Sequence, residues 1–217
     1  MKNNLIDIYC ERSNFEYWAE PINAITNLAF IISGLMIVYL IRKTSKAAVK
    51  DIVLWIFSGL IIIIGIGSWL FHTHANKWAM IVDITPILLF VLLYTWFAIR
   101  RFASGSIWVC SIAVIATLVL SFILETQTGF NGGAYLSPLL AMLIMGVFLH
   151  YFKGHPAGKA LLLSCIIFGF SLTLRSLDEI LCNNLPIGTH FLWHLLNSIV
   201  LYIVSRTLVL NSAQREK

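Results

Sequence analysis

The sequence predicts an all-α membrane protein: a seven-transmembrane helix bundle, formed by a single domain over residues 1–217. Three observations predict it. The 217 residues are 59% hydrophobic and only 12% charged, with a mean hydropathy of +0.86, whereas a soluble domain carries roughly 25% charged residues. The apolar residues gather in runs close to the roughly 20 residues that cross a bilayer. The cationic residues gather in the short loops between those runs. A net charge of +5 would point to nucleic acid in a soluble chain. Here its placement reads as membrane orientation, so no nucleic-acid partner is expected.

Seven runs qualify as spans: 22–41, 52–71, 79–99, 107–124, 135–152, 160–177 and 190–210. Segment 1–21 ahead of them is polar and charged with no apolar core, so it reads as an outer N-terminal segment and not as a cleavable leader. Insertion is then directed by the first span. Segment 211–217 reads as a cytosolic tail. The breaks between spans are Lys43 to Asp51, the pair Ser104 and Gly105, Gly129 to Gly133, Gly154 to Gly158, and Asn183 to Gly188 with Pro186. Glycine adds backbone freedom and proline lacks the N–H that would continue a helix.

Orientation follows from the loop cations. Arg42, Lys43, Lys46, Lys50, Arg100, Arg101, Lys153, Lys159, Arg206, Arg215 and Lys217 fall on one side, which is 11 of the 15; Lys2, Arg12, Lys77 and Arg175 fall on the other. The N-terminus is therefore expected outside and the C-terminus in the cytosol, which requires an odd number of spans. The same count brings His72 at the end of the second span, Asp83 about one turn into the third, and His190 and His194 at the start of the seventh to a similar depth on the outer side.

Ionisable residues inside membrane helices are costly and mark function by default. His190 and His194, at i and i+4, share one helix face and suit one metal ion. His72 supplies a third nitrogen, and three nitrogens with one water make an open zinc site. Ser68, four residues before His72, faces the same way. Asp83 is placed to hold or deprotonate a metal-bound water. Thr189 is the expected N-cap of the seventh span. Arg175 and Asp178, at i and i+3, are expected to pair with each other or with neighbours. Asn23, Asn27 and Asn197 are expected to bridge helices. His74 reads as an interfacial residue, and His150 and His155 fall on the cytosolic side. Cys110 and Cys165 lie within spans and read as packing residues. Cys10 and Cys182 both lie in outer segments, where an oxidising compartment permits a bridge between them.

These blocks, in order, resemble the alkaline ceramidases: Tyr9-Cys10-Glu11 with Ala19-Glu20 and Asn23 before the first span, Gly67-Ser68 with His72, then Asp83, then His190 with His194. The group of seven-helix hydrolases that holds that family also includes the adiponectin receptors. The resemblance covers the whole chain in block order. It implies zinc on His72, His190 and His194, Ser68 and Asp83 beside the zinc-bound water, and hydrolysis of a ceramide amide. It also implies a calcium site in the N-terminal segment. Glu11 and Glu20 match that site in kind, while Asp7 and Asn14 stand one position from the expected places. The family's paired cysteines match Cys10 and Cys182 in context.

The expected function is thus a zinc-dependent integral-membrane amidase. Its substrate is a membrane lipid, ceramide or a related long-chain N-acyl amide, and its active site faces the outer side. The competing reading is a seven-helix lipid receptor or sensor with a structural zinc site, which a closed four-ligand centre would favour. Haem requires facing axial ligands, whereas an i, i+4 histidine pair on one helix suits one metal ion better; a transporter would more often show broken helices in matching halves, and the sequence shows none.

Overall fold

The structure, a computed structural model, describes residues 5–128 and 132–214. Lys2, Gly129, Arg215 and Lys217, which entered the loop and charge readings, lie outside the described residues. Among the described residues, seven helices are long and apolar enough to cross a membrane: Pro21–Thr44, Ile52–His74, Lys77–Phe102, Ile107–Gln127, Gly133–Phe152, Ala157–Leu181 and His190–Ser212. Each contains the expected span, and most run a few residues beyond it. Arg42, Lys43, Arg100 and Arg101 stand in the last turns of their helices. Arginine and lysine are good helix formers and complement the negative C-terminal end of the helix dipole, so the helix outlasts its apolar run.

Two details differ from the simple picture. The first span is two helices, Pro21–Thr26 and Leu28–Thr44, interrupted at Asn27. The break expected from Lys43 to Asp51 contains a helical turn, Lys46–Lys50, which Ser45 caps by accepting the Ala48 N–H at 3.0 Å. Among the described residues the β pairing is confined to one isolated bridge, between Leu5 and Asn76.

The seventh and second spans form the centre, with 56% and 50% of their apolar windows buried, while the third and fourth are buried over only 11% each and face outward. The helices that carry the histidines are therefore the innermost ones. Phe57, Ile61, Ile64, Leu161, Val204 and Leu208 pack between them. The N-terminal segment lies over one end of this bundle: Ile6 donates to the Ala75 carbonyl at 2.8 Å, and Tyr9 packs on Phe71 with ring centroids 6.3 Å apart.

At the opposite end, one carboxylate joins three helices. Asp51, which caps the second span through Val53 N–H, accepts from Arg101 at 2.5 and 3.0 Å and from the Ser212 hydroxyl at 2.8 Å. Burial pushes the Asp51 carboxyl up, but the Arg101 and Ser212 hydrogen bonds and the Arg101 charge outweigh it and hold the group below its ordinary value. A carboxyl depressed by folding adds stability above its unfolded pKa, about 3.9, and loses that contribution as pH falls through the folded value. Asp51→Asn is therefore expected to lower the melting temperature in detergent by about 1–4 °C at pH 7, the scale of a partly exposed ion pair in a chain of this size. The difference should shrink as pH falls below about 3.9 and disappear once the pH lies below the depressed folded value; an equal deficit at every pH would contradict this account.

Candidate active site

His72 lies two residues before the end of the second span, and His190 and His194 occupy the first turns of the seventh. The three rings are fully buried, and each offers a ligand atom within 4.8 Å of the others. For neutral rings, the hydrogen bonds of His72 and His194 direct the proton to Nδ1. His72 Nδ1 donates to Glu20 Oε2 at 2.5 Å. His194 Nδ1 lies 2.9 Å from Thr26 Oγ1 and can donate to it, because the Thr26 hydroxyl hydrogen has carbonyl acceptors of its own at Ile22, 2.8 Å, and Asn23, 3.1 Å. A neutral imidazole has one N–H, so each Nε2 is left with a lone pair. Those two nitrogens stand 3.2 Å apart. Two facing lone pairs repel, and a cation between them removes the conflict. Two nitrogens bound 2.0–2.1 Å from a tetrahedral zinc stand about 3.3 Å apart. The third ring, His190, holds a buried Nδ1 with no hydrogen-bond partner. The residues present fit a metal ion of zinc's ligand preference.

The start of the seventh helix is set by a carboxylate on the sixth. Asp178 Oδ1 accepts the Thr189 and His190 N–H groups at 2.5 and 2.8 Å, and Oδ2 accepts the Cys10 N–H at 3.0 Å. The first N–H groups of a helix lack internal partners and favour an anion. Gly188, at φ +63°, makes the approach possible: a Cβ there would stand 2.9 Å from Cys10 Cβ and would collide with Asp178 Oδ1. This corrects one expectation. Thr189 does not cap with its side chain; its hydroxyl donates to the Leu174 carbonyl at 2.5 Å, and the capping acceptor comes from 11 residues earlier. Asp178 pairs with neighbours in the form of backbone N–H groups. Arg175 lies over the Tyr135 and Trp193 rings, 5.5 Å from each centroid.

Ser68 and Asp83 line one pocket with His190, His194, Tyr9 and Arg175. Gly67 sets their spacing, because a Cβ there would be 2.5 Å from the Val82 carbonyl oxygen, so only glycine lets the second and third spans approach this closely. The Ser68 side chain lies against the Asp83 carboxylate. Asp83 Oδ1 is buried without a hydrogen-bond partner, pointing to a ligand proton that the protein does not supply. Phe30, Ile64, Ile87, Tyr135 and Trp193 line both this pocket and a larger apolar cavity of about 490 Å³. That cavity reaches the exposed side chains Leu120, Leu140 and Ile144 on the fourth and fifth spans.

The N-terminal segment closes the site. Tyr9 stacks on His190, with centroids 3.7 Å apart and planes 19° apart, and burial pushes its phenol well above the ordinary value. Among the candidate calcium ligands, Glu11 accepts the Ile22 and Asn23 N–H groups at 2.6 and 2.8 Å. Glu20 accepts from Arg12 Nε at 2.5 Å, His72 and Asn23, and Asn14 Oδ1 accepts the Glu16 N–H. Asp7 is exposed. Among the described residues Asp7, Glu11 and Glu20 do not bring three oxygens together as the histidines bring their nitrogens. Asn23 and Asn27 do not bridge helices through their amide N–H groups as expected. Asn23 donates to Glu20, and Asn27 donates to the Asn23 carbonyl at 2.8 Å, because the break at Asn27 leaves local acceptors in reach. His155 sits beside Phe102 at the opposite end, apart from the cluster as expected. The sequence reading missed the roles of Arg12 and Glu20 toward His72. In the sequence Arg12 reads only as an outer-side cation and Glu20 only as a candidate calcium ligand, and nothing in their spacing joins either of them to His72.

Fold and site together define a class: a multi-pass membrane protein with three histidines, a serine and an aspartate gathered at one end of its bundle, opening into an apolar cavity. The chain belongs to the ceramidase family, whose model, described as Ceramidase, matches residues 6–217. A comparison with curated proteins finds no match. Family membership makes this a membrane hydrolase of ceramide-type amides and does not favour the receptor reading.

Cys10 and Cys182 form a disulfide, 172 residues apart, that ties the N-terminal segment to the loop before the seventh span. In the chain-entropy model a loop of that length is worth about 4–5 kcal/mol. Cys182→Ser is expected to melt about 5–15 °C lower than the oxidised parent, and reductant should lower the parent's melting temperature but not the variant's. Coincident melting of the oxidised parent and the variant would show that the bridge contributes nothing.

Proposed function

We propose that the protein is a zinc-dependent membrane amidase that cleaves ceramide, or a related long-chain N-acyl amide, to a fatty acid and an amine. The observation that carries this reading is the pair of lone-pair-bearing Nε2 atoms of His72 and His194, 3.2 Å apart, beside the unpartnered Nδ1 of His190. Zinc held by these three rings would polarise the carbonyl and lower the pKa of water to about 7.

The other side chains account for the rest of the chemistry. Asp83, with a free buried oxygen, accepts a proton from the attacking water as the C–O bond forms and then returns it to the amine nitrogen, so that the C–N bond breaks and the amine leaves neutral. Ser68 donates a hydrogen bond to the oxygen on which negative charge develops. The apolar cavity takes the acyl chain, and its contact with the lipid-facing surface of the fourth and fifth spans admits that chain from the bilayer. Tyr9 and the N-terminal segment cover the opposite side and keep bulk water out. The same reading places the N-terminus and the active site on the non-cytosolic side, on the strength of the loop cations.

Two outcomes are expected. Replacing His72, His190 or His194 by alanine should remove both zinc, measured by elemental analysis, and amide hydrolysis. Asp83→Asn should retain zinc while turnover falls by roughly 10²–10⁴-fold, the usual share of a positioned acid–base group; full turnover in that variant would rule out the mechanism, and a metal-free wild type would rule out the centre. A C-terminal tag should be protected from membrane-impermeant labelling in intact cells and an N-terminal tag accessible to it. The reverse pattern would overturn the orientation.

A further inference from the structure

Arg12 lies outside the metal-binding and reacting groups named above, yet its whole side chain is buried. Its guanidinium has three partners. Nε donates to Glu20 Oε1 at 2.5 Å, Nη1 to the Asn14 carbonyl at 3.1 Å, and Nη2 to the His72 carbonyl at 2.8 Å. The side chains of Arg12 and Glu20 are 1% and 3% exposed, so neither interaction is shared with solvent. The other oxygen of Glu20 accepts His72 Nδ1–H. One guanidinium therefore holds His72 at two points: directly at its backbone carbonyl, and through Glu20 at its ring.

The geometry points to Arg12 as a positioning residue for the histidine centre, a two-point clamp that fixes both the ring orientation of His72 and the tautomer that presents Nε2. The chemistry of the side chain supports this. A guanidinium offers a rigid planar fork that can meet a carboxylate and two carbonyls at once, while a lysine ammonium is a single flexible point of charge. A carboxylate behind a ligating histidine sets its tautomer and raises its basicity, and loss of such support costs 10–100-fold in metal affinity. Here that carboxylate is itself buried, and its orientation depends on Arg12. His194 has neutral neighbours instead, the Thr26 hydroxyl and the Asn23 backbone, so the clamp serves His72 alone. Tyr9 of the same segment stacks on His190 at 3.7 Å and stands tilted beside the His72 ring at 5.2 Å, without reaching either of the atoms that Arg12 and Glu20 hold.

The clamp rests on the zinc reading for its effect on affinity, but not for its effect on the ring. The test uses the full chain in detergent, with Arg12→Lys and Arg12→Gln, each checked for a monodisperse fold. Zinc affinity is measured by chelator competition, and the tautomer of His72 by nitrogen chemical shifts in the metal-free protein. Both variants are expected to bind zinc 10–100-fold more weakly and to lose the single Nδ1–H form of His72, although lysine keeps the charge. A merely structural arginine would lower stability without moving the tautomer. Adding Glu20→Gln to either variant should weaken binding no further, because Glu20 supports the ring only while Arg12 orients it. If a variant does not fold, Arg12→Ala supplemented with ethylguanidine replaces it, and recovery of the tautomer is expected. An Arg12→Lys protein with wild-type zinc affinity and an unchanged His72 tautomer would overturn the proposal. A wild type without zinc would refute the zinc centre, while the ring signals would still decide the clamp.

Discussion

The arrangement at the site end of the bundle depends on one carboxylate. Asp178 receives the Thr189 and His190 N–H groups on one oxygen and the Cys10 N–H on the other. In a bilayer the first N–H groups of a helix find little water, and each unpaired one costs several kcal/mol. Satisfying them with a fixed anion determines where the seventh helix begins, and therefore the height of His190 and, one turn later, His194. The same anion anchors the segment that delivers Tyr9 and Arg12. Gly188 and Gly67 are the backbone counterparts of this constraint, since each stands where a Cβ would meet another chain segment within 3 Å.

The two ends of the bundle use charge differently. At one end Asp51 and Arg101 join helices where their side chains are 19% and 10% exposed, a setting in which an ion pair adds little. At the other, Arg12 and Glu20 are enclosed. Breaking a buried pair by removing one partner costs roughly 3–5 kcal/mol, because it strands the other charge. A buried pair is seldom the most stable filling of its volume. Its presence here is intelligible if the oriented carboxylate, and not the stability, is what the fold retains.

The spans and the three histidines were legible in the sequence for clear reasons. Apolar runs of bilayer length have few alternatives, and an i, i+4 pair fixes a shared helix face whatever surrounds it. The loop cations set a depth that brought in His72. Helix ends were less legible, since Arg42 or Arg101 can extend a helix beyond the hydrocarbon. The residues that orient the histidines were not legible at all: Glu20 meets His72 across 52 residues and Asp178 meets Cys10 across 168. The family resemblance placed Glu20 among candidate calcium ligands, and local spacing gave the cap of the seventh span to Thr189. Such partners are chosen by packing, and packing leaves no local periodicity.

The disulfide gives the chain an unusual topology. Cys10 precedes the first span and Cys182 follows the sixth, so six of the seven helices lie within one covalent ring and the last hangs from it as a tail. A protease cut in any loop between the first and sixth helices would leave a nicked molecule still joined as one piece until reductant is added. A cut between Cys182 and His190 would free the last helix outright. The two histidines on that helix are thus linked to the third by a single stretch of chain.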